Sequence, residues 1–111
     1  METGRSELLQ GTLELLVLKI PSYEPQHGWG IAQRIGEISG EVFQVNQGSL
    51  YPALQRLEQK GWIASDWRVT ENNRRAKYYR LTAKGRRALG AETQHWRRYV
   101  TAVEDILGYA S

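Results

Sequence analysis

QGSLYPALQRLEQKGWI, residues 47–63, decides how this chain folds. Leu50, Leu54 and Leu57 recur at helical spacing and belong to a core, and Gly61 stands where a helix closes. Pro52 has no backbone N–H and is tolerated in a first turn, so the expected cap is Gly48 or Ser49, with the helix running on to Lys60. At about 100° per residue the face opposite the leucines carries Gln55 and Gln59, flanked by Arg56 and, toward the start, by Ser49 and Tyr51. Amides, hydroxyls and a guanidinium facing outward suit the donor and acceptor pattern of a DNA major groove. An ordinary polar helix face has a similar composition, so the neighbouring segments must decide.

Downstream, residues 62–69 alternate, with Ile63, Ser65, Trp67 and Val69 on one side, and residues 76–81 have the aromatic character of a paired strand. The segment between them, TENNRR at residues 70–75, is a polar hairpin tip that offers Asn72, Asn73, Arg74 and Arg75. Arginines on a flexible tip suit phosphates or the negative potential of a narrow minor groove. Thr82 then caps a long helix ending near Leu107, before Gly108. Along it Leu89, Thr93, Trp96, Val100, Val103 and Leu107 are spaced 4, 3, 4, 3 and 4, the pattern of a helix that packs along a seam, widened by Tyr99 and Ile106. This stripe needs a cover, from the first helix, a second copy of the chain or both; a dimer is expected, with Leu9 and Leu13 of the first helix in its interface beside Leu89, Trp96, Val100, Val103 and Leu107.

Upstream, residues 7–20 read as a helix apolar on more than one face, ended by Pro21, and residues 21–28 as a loop. A shorter helix at 29–39 follows, with Ile31, Ile35 and Ile38 on one face and Gly40 as its stop. Val42, Phe43 and Val45 are expected to plug the core before the third helix.

Charge agrees with this order. Residues 56–87 hold ten basic side chains against three acids, a net +7, whereas the rest of the 111-residue chain holds five against nine, a net −4. A positive field gathered in one third of the chain suits a polyanion. Cysteine is absent and there are only two histidines, His27 and His95, in no spacing typical of a metal site or a triad. These counts argue against an enzyme, a metal or a cofactor. His27, just before a helix, reads as a cap or loop residue. The apolar stretches are too short and too interrupted for a leader or a membrane span, so the expected setting is the cytoplasm.

Two helices, a polar third helix, a hairpin and a long final helix make a mostly α chain with a small β-hairpin. This is the order of a winged helix-turn-helix (residues 1–81) continuous with a C-terminal dimerisation helix (residues 82–111). The expected function is sequence-specific binding of double-stranded DNA by a homodimer. A winged module for protein or RNA contact is the rival, and the +7 window favours DNA over it.

LLQGTLELLVL (residues 8–18), HGWGIAQRI (27–35), QGSLYPALQRLEQKGWI (47–63) and RRAKYYRLTAKGR (74–86) together resemble the PadR-like family of bacterial transcriptional regulators, over nearly the whole chain. The resemblance implies a dimeric regulator, usually a repressor, acting on an operator with dyad symmetry. It places Ser49, Tyr51 and Arg56 where the third helix meets DNA, and Arg74, Arg75 and Lys77 on the wing. Where the family more often has Thr and Tyr, this chain has Ser49 and Trp29. A single C-terminal helix resembles the shorter members. Trp96 is read first as a large anchor of the dimer core; because related regulators respond to flat aromatic compounds, stacking on such a compound is its alternative role, with Tyr99 a further candidate.

Overall fold

The computed structural model describes the backbone of residues 2–110 and the side chains of residues 11–110. Four helices, α1 (Glu2–Lys19), α2 (Gly28–Ile38), α3 (Gln47–Gln59) and α4 (Ala83–Leu107), surround a sheet of three strands, β1 (Gln26–His27), β2 (Ile63–Val69) and β3 (Arg75–Leu81). The strands lie antiparallel in the order β1-β3-β2, with Tyr79 paired to both Gln26 and Ser65. Winged helix-turn-helix order holds, with two differences in the segment expected to be a loop. Pro21 opens a single 3₁₀ turn (Ile20–Ser22), and Gln26 and His27 pair with the otherwise free edge of β3, so the hairpin becomes a three-stranded sheet. Two residues carry no alternation to read, which is why this strand is invisible in the sequence.

The core joins Val17, Leu18 and Ile20 to Ile31 and Ile35 of α2, to Leu50, Leu54 and Leu57 of α3, and to Ile63, Tyr79 and Leu81 of the sheet. Phe43 and Val45 pack against it as expected, but Val42 is exposed. The reason is local: Gly40 and Glu41 both adopt positive φ, which turns the chain sharply after α2 and sends Val42 outward. His27 caps α2, its Nδ1 accepting the Gly30 N–H at 3.0 Å.

Helix α3 starts earlier than Pro52 suggests. Asn46 is the cap, its Oδ1 accepting the Ser49 N–H at 2.9 Å, so Ser49 receives a cap rather than making one. Pro52 therefore sits inside the helix and leaves the Gly48 carbonyl without its helical donor. Gly48 is exposed, so solvent can replace that bond and the cost stays small.

The start of α4 is fixed by Thr82, whose hydroxyl donates to the Gly61 carbonyl (2.7 Å) and accepts the Gly85 N–H (2.9 Å). Gly85 is buried against the Trp62 carbonyl. Beyond Leu89, which packs on the core, α4 leaves the body. From Gln94 onward only Val100 is even half-buried, and Ile106 and Leu107 are 75% and 80% exposed. A helix of 25 residues is about 37 Å long, most of the 60 Å long axis of the chain. Leu13 packs partly against the core; the Leu9 side chain lies outside the described residues.

Candidate nucleic-acid interface

Burying Leu50, Ala53, Leu54 and Leu57 turns the opposite side of α3 to solvent. Ser49, Tyr51, Gln55 and Gln59 are all exposed there, and Gln47 and Gly48 lengthen this surface because the helix begins at Asn46's cap. Tyr51 stands on the flank toward the sheet, close over Gly28, where a Cβ would meet its ring at 3.0 Å. On the same flank Glu58 accepts the Ser65 hydroxyl at 2.7 Å and ties β2 to α3. Burial, with the nearby Glu58 carboxylate and Tyr51 phenol, raises the pKa of Tyr79 beneath them, so it stays a neutral hydrogen-bonding group.

Arg56 is not part of the outward face. It is half-buried on the other flank, where its Nε donates to Glu14 of α1, and the same carboxylate lies 3.5 Å from the Lys60 ammonium. Helical angle alone could not reveal this, since Glu14 is 42 residues away in sequence.

The wing divides its cations by face. Arg75 belongs to β3 rather than to the tip: it pairs in register with Val69, and its guanidinium lies 5.3 Å over the Trp67 ring. Lys77 pairs with Trp67 on the same face. Arg68 instead stacks on Tyr78 and is compensated by Asp66 at 3.1 Å. Among the described residues Arg74, Arg75 and Lys77 form no ion pair. Trp67, on the same side of β2 as the buried Ile63, is 58% exposed, because the hairpin runs past the body that would have covered it. The tip is more ordered than a flexible loop. Thr70 N–H donates to the Arg74 carbonyl (2.6 Å), Thr70 Oγ1 accepts the Arg74 N–H (3.2 Å), and Asn73 takes the left-handed conformation that asparagine tolerates (φ 61°).

On α4, Trp96 and Tyr99 stack with ring centroids 5.8 Å apart, and both are exposed together with Val103, Ile106 and Leu107. Among the described residues no cluster of His, Cys, Asp or Glu could hold a metal ion, and no helix is long and apolar enough to cross a membrane.

The family model for the transcriptional regulator PadR-like family matches residues 17–91. The chain is similar to a transcriptional regulator of Mycobacterium tuberculosis, with 32% identity over 102 residues, spanning 92% of this chain and 89% of that one. Among solved structures, a PadR family transcriptional regulator from Eggerthella lenta has a TM-score of 0.81 at 29% identity, covering 98% of this chain and 93% of that chain. A PadR-like transcriptional regulator from Bacillus cereus has a TM-score of 0.80 at 28% identity, covering 94% and 99%.

Proposed function

This chain belongs to the PadR-like family of transcriptional regulators, which are not enzymes, and from that premise we propose that it is a repressor that binds a dyad operator as a homodimer in the cytoplasm. The observation that carries the reading is the pairing of an exposed amide and hydroxyl face on α3 with a wing whose Arg74, Arg75 and Lys77 form no ion pair among the described residues. In this reading residues 1–81 form the DNA-binding unit. Ser49, Tyr51, Gln55 and Gln59 enter the major groove, and Asn73, Arg74, Arg75 and Lys77 hold the flanking backbone.

Residues 82–111 form the dimerisation helix, with Trp96, Val100, Val103 and Leu107 as its seam and Leu9 beside it, whereas Leu13 and Leu89, expected in the same seam, pack against the core of their own chain. The exposed apolar stripe on α4 supports this, because an isolated chain leaves it in water. Two copies of α3 about 34 Å apart reach successive major grooves and exclude polymerase sterically. A flat aromatic compound inserted at Trp96 and Tyr99 changes the half-site spacing and releases the operator; the stacking of these two rings at the seam favours this site. Titrating planar aromatic compounds while following Trp emission is expected to give a saturable change that Trp96→Leu abolishes. No saturable response from any of them leaves Trp96 a packing anchor alone.

The wing provides the direct test. Each phosphate contact changes the salt slope by about 0.9, worth about fivefold at physiological salt, so Arg74→Ala with Arg75→Ala is expected to weaken the binding of each half-site roughly thirtyfold and to flatten the slope by about 2 per protomer, about 4 for the dimer. Thermal melting should be unchanged, because both side chains are exposed. Wild-type affinity in the double variant contradicts the assignment of this surface. Selection from a random DNA pool is expected to return an inverted repeat, whereas its absence favours the winged module for protein or RNA contact.

A further inference from the structure

The Glu14 carboxylate has no role in the surface described so far, yet it holds two cations of α3 at once. Arg56 reaches it through Nε, so the guanidinium's terminal nitrogens are left for another acceptor. Lys60 is 3.5 Å from its second oxygen, with the ammonium also 4.6 Å from the centre of the Trp62 ring. The Glu14, Arg56 and Lys60 side chains are 21%, 36% and 46% exposed. Arg56 and Lys60 stay partly solvated, so pairs of this kind contribute modestly to stability, and an anion can reach both cations from solvent. A phosphate presents the same kind of anionic oxygen as a carboxylate and competes for the same donors. The flank that carries Arg56 and Lys60 borders the exposed face of α3, where the backbone of a duplex held against that face has to pass.

We propose that Glu14 is an internal counter-ion that occupies Arg56 and Lys60 in the free protein and yields them to a DNA phosphate on binding. This rests on the DNA-binding reading above. Glu14 thereby sets the affinity downward: part of the attraction of each phosphate is spent displacing the carboxylate. Arg56 is then a phosphate contact made only in the complex, which reconciles its place in the family's DNA-contacting set with its position against α1.

The test measures binding of the full chain to a fluorescent random-sequence duplex by anisotropy, across about 50 to 200 mM salt. Glu14→Gln keeps the shape and a hydrogen-bond acceptor but removes the charge. It is expected to bind about fivefold more tightly at physiological salt, with a salt slope steeper by about 1 to 2. Glu14→Asp draws the carboxylate back by one methylene and should shift binding the same way by less, which keeps the test open if the first variant folds poorly. In an Arg56→Gln, Lys60→Gln background the gain from Glu14→Gln should vanish. Weaker or unchanged binding by both Glu14 variants overturns the proposal, as does a gain that survives in that background, since it then reflects net charge alone. Wild-type protein with no salt-dependent binding instead defeats the DNA-binding reading itself.

Discussion

Val100→Asp is expected to leave the chain monomeric by size exclusion with light scattering, and to weaken duplex binding by about a hundredfold or more. Val100 lies between Trp96 and Val103 on the exposed stripe of α4. In a two-fold dimer the substitution enters twice, near the axis, and each carboxylate loses its water with no cation supplied in return. A penalty of several kcal/mol per buried charge exceeds what one apolar seam can recover. The loss in DNA affinity follows from tethering: two half-sites engaged together gain on the order of a hundredfold or more over one. Val100 is outside the hydrophobic core, so the monomer should still melt cooperatively. A dimer that persists would place the interface elsewhere on the chain.

Gly85→Ala should destabilise the fold by about 4 kcal/mol, seen as a fall in melting temperature of roughly 15 °C or more. A Cβ at this position would lie 1.9 Å from the Trp62 carbonyl oxygen, a backbone atom that cannot rotate away. Relief requires α4 to shift from the start of β2, and that breaks the Thr82 bridge to Gly61 and the 3.1 Å bond from the Thr82 N–H to the same Trp62 carbonyl. Each of these bonds is worth about 1 kcal/mol, added to an overpacking cost of about 1–3 kcal/mol. Gly90, one and a half turns further along the same helix, has nothing within 4 Å of its virtual Cβ. Gly90→Ala should therefore stabilise by about 0.5–1 kcal/mol, the ordinary helix-propensity gain. Equal effects at the two positions would mean that α4 does not sit on Trp62 as described.

The candidate interface was legible in the sequence to different depths. Gln55 and Gln59 were found from helical angle alone, because Leu50, Leu54 and Leu57 fix which side of α3 faces in. Pro52 points to a start of α3 at Gly48 or Ser49, but the helix begins at the Asn46 cap, because asparagine is among the strongest caps and the lone carbonyl left by an exposed proline costs little. Trp67 alternates correctly with Ile63, but alternation reports a face and not whether anything covers it. Arg75 was read as a tip residue because the strand boundary depends on pairing with Val69.

Local chemistry was sufficient for the existence of the four helices and the hairpin, for the Thr82 cap and for the 4, 3, 4, 3, 4 stripe of α4, all of which depend on residues a few positions apart. Tertiary structure alone decided which cations remain uncompensated. Glu14 engages Arg56 from 42 residues away, whereas Arg74, Arg75 and Lys77 form no ion pair among the described residues. It also decided that Gly85 must be glycine and that the distal half of α4 stands clear of the body. These outcomes depend on contacts between segments far apart in the chain, such as Glu14 with Arg56, and on where the body ends; neither leaves a periodic trace in the residues themselves.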